Sequence, residues 1–116
     1  MSKRSDRLLL QDILGSIEKI TVYITHMDYE AFEEDSRTVD AVIRNLEIIG
    51  EAAIRLSPEL KTVNPGIEWR KIAGLRHRIV HAYFGVDLAI VWQILGHDIP
   101  KLRKELEEIL KNIKEL

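Results

Sequence analysis

The chain contains no cysteine. That removes a disulfide framework, a thiolate metal site and a cysteine nucleophile, and it fits a reducing compartment. No apolar run approaches the roughly 18 residues a membrane span needs. Met1 to Asp6 lacks the apolar block that would follow in a signal peptide. The expectation is therefore a cytoplasmic protein with no membrane partner. A glycine-rich phosphate loop, a G-x-S-x-G elbow and a C-x-x-C pair are all missing. So are internal repeats and low-complexity segments.

What remains is an ordinary soluble composition, 46% hydrophobic and 31% charged. The 116 residues suffice for one domain and are too few for two, so 1–116 is read as a single unit. The net charge of −2 is unevenly spread. Lys61, Arg70, Lys71, Arg76 and Arg78 face only Glu68 over residues 61–86, so this segment is basic and the rest acidic. A local basic patch on an acidic body suits a specific anionic ligand, or else an interface with an acidic partner or second subunit.

Hydrophobic spacing predicts helices throughout. Leu10, Ile13, Leu14, Ile17, Ile20, Ile24 and Met27 mark one long amphipathic helix over 5–28, with Ser5 as its N-cap. Asp28 to Ser36 reads as a loop. Val39, Val42, Ile43, Leu46, Ile49, Ala53 and Leu56 mark a second helix over 37–56, inside which Gly50 implies close helix approach. Ser57-Pro58-Glu59 opens a short helical turn, and Asn64-Pro65-Gly66 breaks the chain. Ile67 to Phe84 is expected as one helix, with Trp69, Ile72, Ala73, Ile79 and Tyr83 on its apolar side. The β-branched run 79–86 would also permit a strand. Gly85 suits a helix end and Asp87 the next N-cap. The last stripe is Leu88, Trp92, Leu95, Ile99, Leu102, Leu106, Ile109 and Ile113. Gly96 to Pro100 interrupts it without loss of phase, which predicts a kink or two abutting helices. The expected fold is all-α: an antiparallel bundle of four main helices plus a short helical turn.

The stretch Gly74 to Asp87 concentrates the chemistry. Arg76, His77, Arg78, His81 and Tyr83 fall within eight residues. Arginine offers a planar fork of donors for phosphate, and histidine can move protons near neutral pH. At about 100° per residue, His77 and His81 share a helix face, while Arg76 and His81 lie about 140° apart and flank one polar cleft. Each has a plainer role open to it. Arg76 could be a solvated or salt-bridged side chain, His81 a cation favoured at a helix C-terminus, and Tyr83 a core-edge aromatic. The His77/His81 spacing also matches a zinc helix, but Arg78 stands where H-E-x-x-H carries glutamate, so no metal is expected. His26 and His97 are isolated and read as surface residues.

Arg76-His77-Arg78-Ile79-Val80-His81 has the R-x4-H form of the HEPN superfamily, and with Tyr83 it resembles the R-x4-H-x-Y motif of the HepT-like branch. Ile43 to Ala52, including Gly50-Glu51-Ala52, is similar to the second helix of that branch. The resemblance spans essentially the whole chain. One position departs: His77 stands where the branch most often has asparagine. The resemblance implies a metal-independent endoribonuclease toxin of a HepT/nucleotidyltransferase toxin–antitoxin pair, working as a homodimer without a cofactor. Arg76 and His81 would be catalytic, with His77 and Arg78 supporting or binding RNA. Tyr83 would accept AMP from a partner minimal nucleotidyltransferase antitoxin. The alternative is a non-catalytic helical subunit that binds a nucleotide or that transferase.

Overall fold

The computed structural model describes residues 4–84 and 87–113, with backbone alone for 80–84. Helix α1 (Asp6–Ile24) starts where expected, because the Ser5 hydroxyl accepts the Leu8 N–H at 3.2 Å. It ends earlier than its apolar pattern, and His26 adopts a left-handed φ of 66° in the turn that follows. Its inner face, Leu9, Leu10, Ile13, Ile17 and Ile20, is buried.

Residues 28–36 are not simply a loop. Helix α2 (Tyr29–Glu34) occupies them, capped by Asp28 accepting the Ala31 N–H at 2.9 Å. Its lone buried residue, Phe32, packs on Trp92 with ring centroids 5.0 Å apart. A single helical turn with one anchor carries too little periodicity to be seen in the sequence. Helix α3 (Ser36–Arg55) follows at once, capped by Asp35, which accepts both N–H and hydroxyl of Thr38. The Thr38 N–H, then its hydroxyl, hold the Asp35 carboxyl below its ordinary pKa. The cap is thus in place at neutral pH and is lost only as pH falls through that lowered value.

Helices α1 and α3 run antiparallel. Asp6, at the start of α1, accepts the N–H and hydroxyl of Ser57, just beyond the end of α3. Ser57 in turn caps α4 (Pro58–Val63) through the Leu60 N–H, with Pro58 at the first helical position. The helix expected over 67–84 is divided. Helix α5 (Trp69–Ala73) stops at Gly74, and α6 (Leu75–Phe84) begins immediately after.

The final segment comprises α7 (Leu88–Gln93), a π turn (Ile94–Asp98) and α8 (Ile99–Asn112). The expected interruption at Gly96–Pro100 therefore takes the form of a π turn. The Ile99 N–H donates to Ile94 O, five residues back. Pro100 has no N–H and its ring would crowd the Gly96 carbonyl of an unbroken α-helix. The wider π turn moves that carbonyl away while Leu95, Ile99, Leu102, Leu106 and Ile109 stay buried.

These elements enclose one hydrophobic cluster, built by α1, α3 and α8 with contributions from the shorter helices. Among the described residues no helix is long and apolar enough to cross a membrane. The close helix approach expected at Gly50 is present. A Cβ there would lie 3.5 Å from Ile72 O and 3.7 Å from Arg76 N, which is ordinary van der Waals contact. The approach of α3 to α5 and α6 thus leaves room for a methyl group and little more. Gly50→Ala should be neutral or stabilising by up to about 1 kcal/mol, whereas Gly50→Leu should cost about 1–3 kcal/mol from overpacking. Urea unfolding of the two variants checks the contrast.

Candidate functional site

Gly74 sets the start of the motif helix. Its N–H donates to Arg70 O at 2.9 Å, closing α5, and its carbonyl accepts the Arg78 N–H at 3.1 Å, opening α6. A side chain at this position would meet Arg70 O at 3.2 Å, tighter than ordinary contact. Arg76 therefore stands in the first turn of a helix and not in the middle of one. Leu75 and Ile79 turn inward and are buried. Arg76 and His77 are exposed, and Arg78 is half-buried.

The two arginines leave α6 on opposite flanks, about 200° apart around the axis. Arg76 leans toward α3, where its Nε lies 3.8 Å from Glu47 Oε2. At 66% side-chain exposure this is a loose pair that a phosphate can displace. Arg78 leans toward the π turn and donates from Nη1 to Asp98 Oδ2 at 3.2 Å. Lys71 Nζ approaches the same oxygen to 3.7 Å. Asp98 thus ties α5 and α6 to the last helical segment across the Gly74 break.

Of the residues singled out in the sequence, the structure sets His77 on the exposed face of α6, between the two tethered arginines. The backbone of α6 runs through His81 and Tyr83, but both side chains lie outside the described residues. Arg76 and Arg78 are not brought together. Among the described residues no group of three or more His, Cys, Asp or Glu could hold a metal, and His81 is not among them. His26 and His97 are exposed.

Sequence reasoning missed Glu47, Lys71, His97 and Asp98 as neighbours of the motif helix. Glu47 falls within the stretch that resembles the second HepT-like helix, which was a usable signal. The His97-Asp98 pair breaks an apolar stripe, which was another. Lys71 carried no signal beyond the basic bias of its segment.

A helical bundle that presents two arginines and a histidine in the first turns of one helix defines a class suited to binding polyanions. The "Ribonuclease HepT-like" family model matches residues 13–109. The chain belongs to the HepT-like ribonuclease family. It is 38% identical over 115 residues to "Putative RNase MJ0125" of Methanocaldococcus jannaschii, covering 99% of each chain. It is 41% identical over 109 residues to "Probable ribonuclease HepT" of Thermococcus cleftensis, covering 94% of this chain and 99% of the other. It is also 40% identical over 114 residues to half of "Gamma-glutamylcyclotransferase and putative RNase MJ0434" of Methanocaldococcus jannaschii, covering 98% of this chain. No solved structure matches it.

Because Asp98 restrains two cations at partly exposed positions, Asp98→Ala should lower stability by about 1 kcal/mol. A fall of a few degrees in the thermal midpoint is expected, and an unchanged midpoint would show the tie to be unimportant.

Proposed function

We propose that this chain, as a single domain spanning 1–116, is a metal-independent endoribonuclease toxin of the cytoplasm. The observation that carries the reading is family membership over residues 13–109 together with an exposed Arg76 and His77 on the first turn of the motif helix. The 2′-hydroxyl of RNA attacks the adjacent phosphorus when a base takes its proton. The P–O5′ bond then breaks as an acid protonates the departing oxygen. This gives a 2′,3′-cyclic phosphate and a 5′-hydroxyl. Arg76 neutralises charge on the phosphoryl oxygens, in keeping with its displaceable contact to Glu47. His81 moves the protons. His77 and Arg78 support or bind the substrate.

One His81 per chain must serve as base and acid in turn, whereas two chains pairing their α6 helices supply one of each. We therefore take the working form as a homodimer. RNA cleavage should persist in excess chelator. Arg76→Ala and His81→Ala should each lower the rate by about 100-fold or more while the helical circular dichroism stays intact. Light scattering should give twice the chain mass. Loss of activity on chelation with recovery on adding zinc would overturn the metal-independent reading in favour of a His77/His81 metal site. Absence of cleavage by the wild-type protein would favour a non-catalytic binding subunit of a nucleotidyltransferase.

Tyr83 is the proposed point of control. Seven residues after Arg76, it lies nearly in line with it along α6. Transfer of AMP from ATP to its hydroxyl by a partner minimal nucleotidyltransferase forms a phosphodiester to the phenol oxygen and releases pyrophosphate. The added phosphate competes with RNA for Arg76 through charge-assisted hydrogen bonds. Because Asp98 holds Arg78 on the far flank, Arg76 is the arginine that this phosphate meets. Incubation with the cognate transferase and ATP should add one AMP mass at Tyr83. Tyr83→Phe should stay active and escape inhibition. Modification elsewhere, or unchanged inhibition of Tyr83→Phe, would remove Tyr83 from the scheme.

A further inference from the structure

We propose that the crevice between the π turn and helices α5 and α6 is a second phosphate subsite, which grips the RNA backbone to one side of the bond that is cut. The proposal rests on the ribonuclease reading and adds residues that the motif does not contain. The crevice measures about 510 Å³ and is lined by Lys71, Arg78, Trp92, Gln93, His97 and Asp98. Its size is that of a site for a nucleotide-sized ligand.

Its charge is the first argument. Lys71 and Arg78 converge on a single carboxylate oxygen, Asp98 Oδ2. Two permanent cations against one carboxylate leave a net positive charge, beside which the His97 imidazole offers a further hydrogen-bonding group. The neighbouring pairs Lys101–Glu68 and Arg103–Glu18 are matched one to one. A phosphodiester carries one negative charge, which is the amount the Lys71–Arg78–Asp98 group lacks.

Preorganisation is the second argument. Asp98 accepts from Nη1 of Arg78, one of the five donors on a guanidinium, and so fixes the fork without consuming it. Trp92 is itself held by Phe32 and Tyr29, at centroid distances of 5.0 and 6.4 Å. Gln93 is exposed, and its amide offers both donor and acceptor to a base edge. The slot on the far side of Asp98, shared with Glu68 and Glu105, measures about 40 Å³ and has no room for a nucleotide.

Position is the third. Arg76 and Arg78 emerge on opposite flanks of α6, so a strand held at Arg76 reaches the crevice by crossing the exposed face that carries His77. The two arginines thus serve different phosphates of one strand.

The test separates binding from cleavage by using 2′-O-methyl oligoribonucleotides, which lack the attacking hydroxyl. Equilibrium binding is measured for lengths from three to six nucleotides, with the Lys71→Ala/His97→Ala double variant against Lys104→Ala. Lys104 is an exposed cation on α8 outside the crevice, so its variant controls for net charge. The wild type should gain affinity with length. The double variant should lose that gain, roughly 10-fold at six nucleotides in low salt, and its salt slope should fall by about 0.7 per cation removed. A wild type with no gain, a double variant that matches Lys104→Ala, or an equal loss at every length would overturn the subsite. A change in assembly mass in the double variant would show a contact between subunits instead and would also overturn it. If unmodified RNA goes uncut while the length dependence behaves as expected, the ribonuclease reading fails and the subsite stands. If RNA is cut and the length dependence is untouched by the variant, the subsite alone fails.

Discussion

Helix α3 buries Val42, Leu46 and Ile49 completely and Val39 and Ala53 nearly so, and α1, α2, α5 and α6 all pack against it. Each of the larger side chains contributes about 1.5–3 kcal/mol of transfer free energy, so this one helix orders most of the molecule. Its antiparallel contact with α1 is registered at one end by Asp6 on Ser57. At the other face Gly50 lets the backbone of α3 pass close to Ile72, Ala73 and Arg76. The motif helix is therefore positioned by the core of its neighbour, and Arg76 reaches solvent because Leu75 and Ile79 are committed to that core.

A second constraint comes from the last segment, where an apolar stripe must continue past a proline. Helix α8 packs against α1. The π turn adds one residue to the ladder, which relieves the crowding of Pro100 against the Gly96 carbonyl, and burial is kept on both sides. Asp98, the last residue of that turn, is the one that meets Lys71 and Arg78. A local backbone irregularity thus supplies the carboxylate that joins the far end of the bundle to the motif helix.

Electrostatically, α6 is held by one carboxylate on each flank: Glu47 for Arg76 and Asp98 for Arg78. The two contacts differ in kind. The first is long and solvent-exposed, and it can yield to a ligand. The second is a hydrogen-bonded, half-buried tie. This asymmetry leaves Arg76 free to exchange its partner and keeps the Arg78 side chain fixed against the π turn.

Helical periodicity determined much of the fold by itself, because a long amphipathic helix announces its buried face every three to four residues. The inner faces of α1 and α3, the Ser5 and Ser57 caps and the buried stripe of α8 were all legible for that reason. The motif Arg76 to Tyr83, with the patch around Gly50, also identified the family from the chain alone. The short elements were not legible. α2 depends on one anchor, Phe32, whose partner Trp92 is distant in sequence. The break at Gly74 and the π turn before Pro100 are choices between backbone states that a hydrophobic pattern does not distinguish. The partners of the arginines escaped for the same reason, since Glu47 and Asp98 come to α6 from helices 29 and 20 residues away. Local sequence encodes which face of a helix is apolar, but which carboxylate faces which guanidinium is decided only when the helices pack.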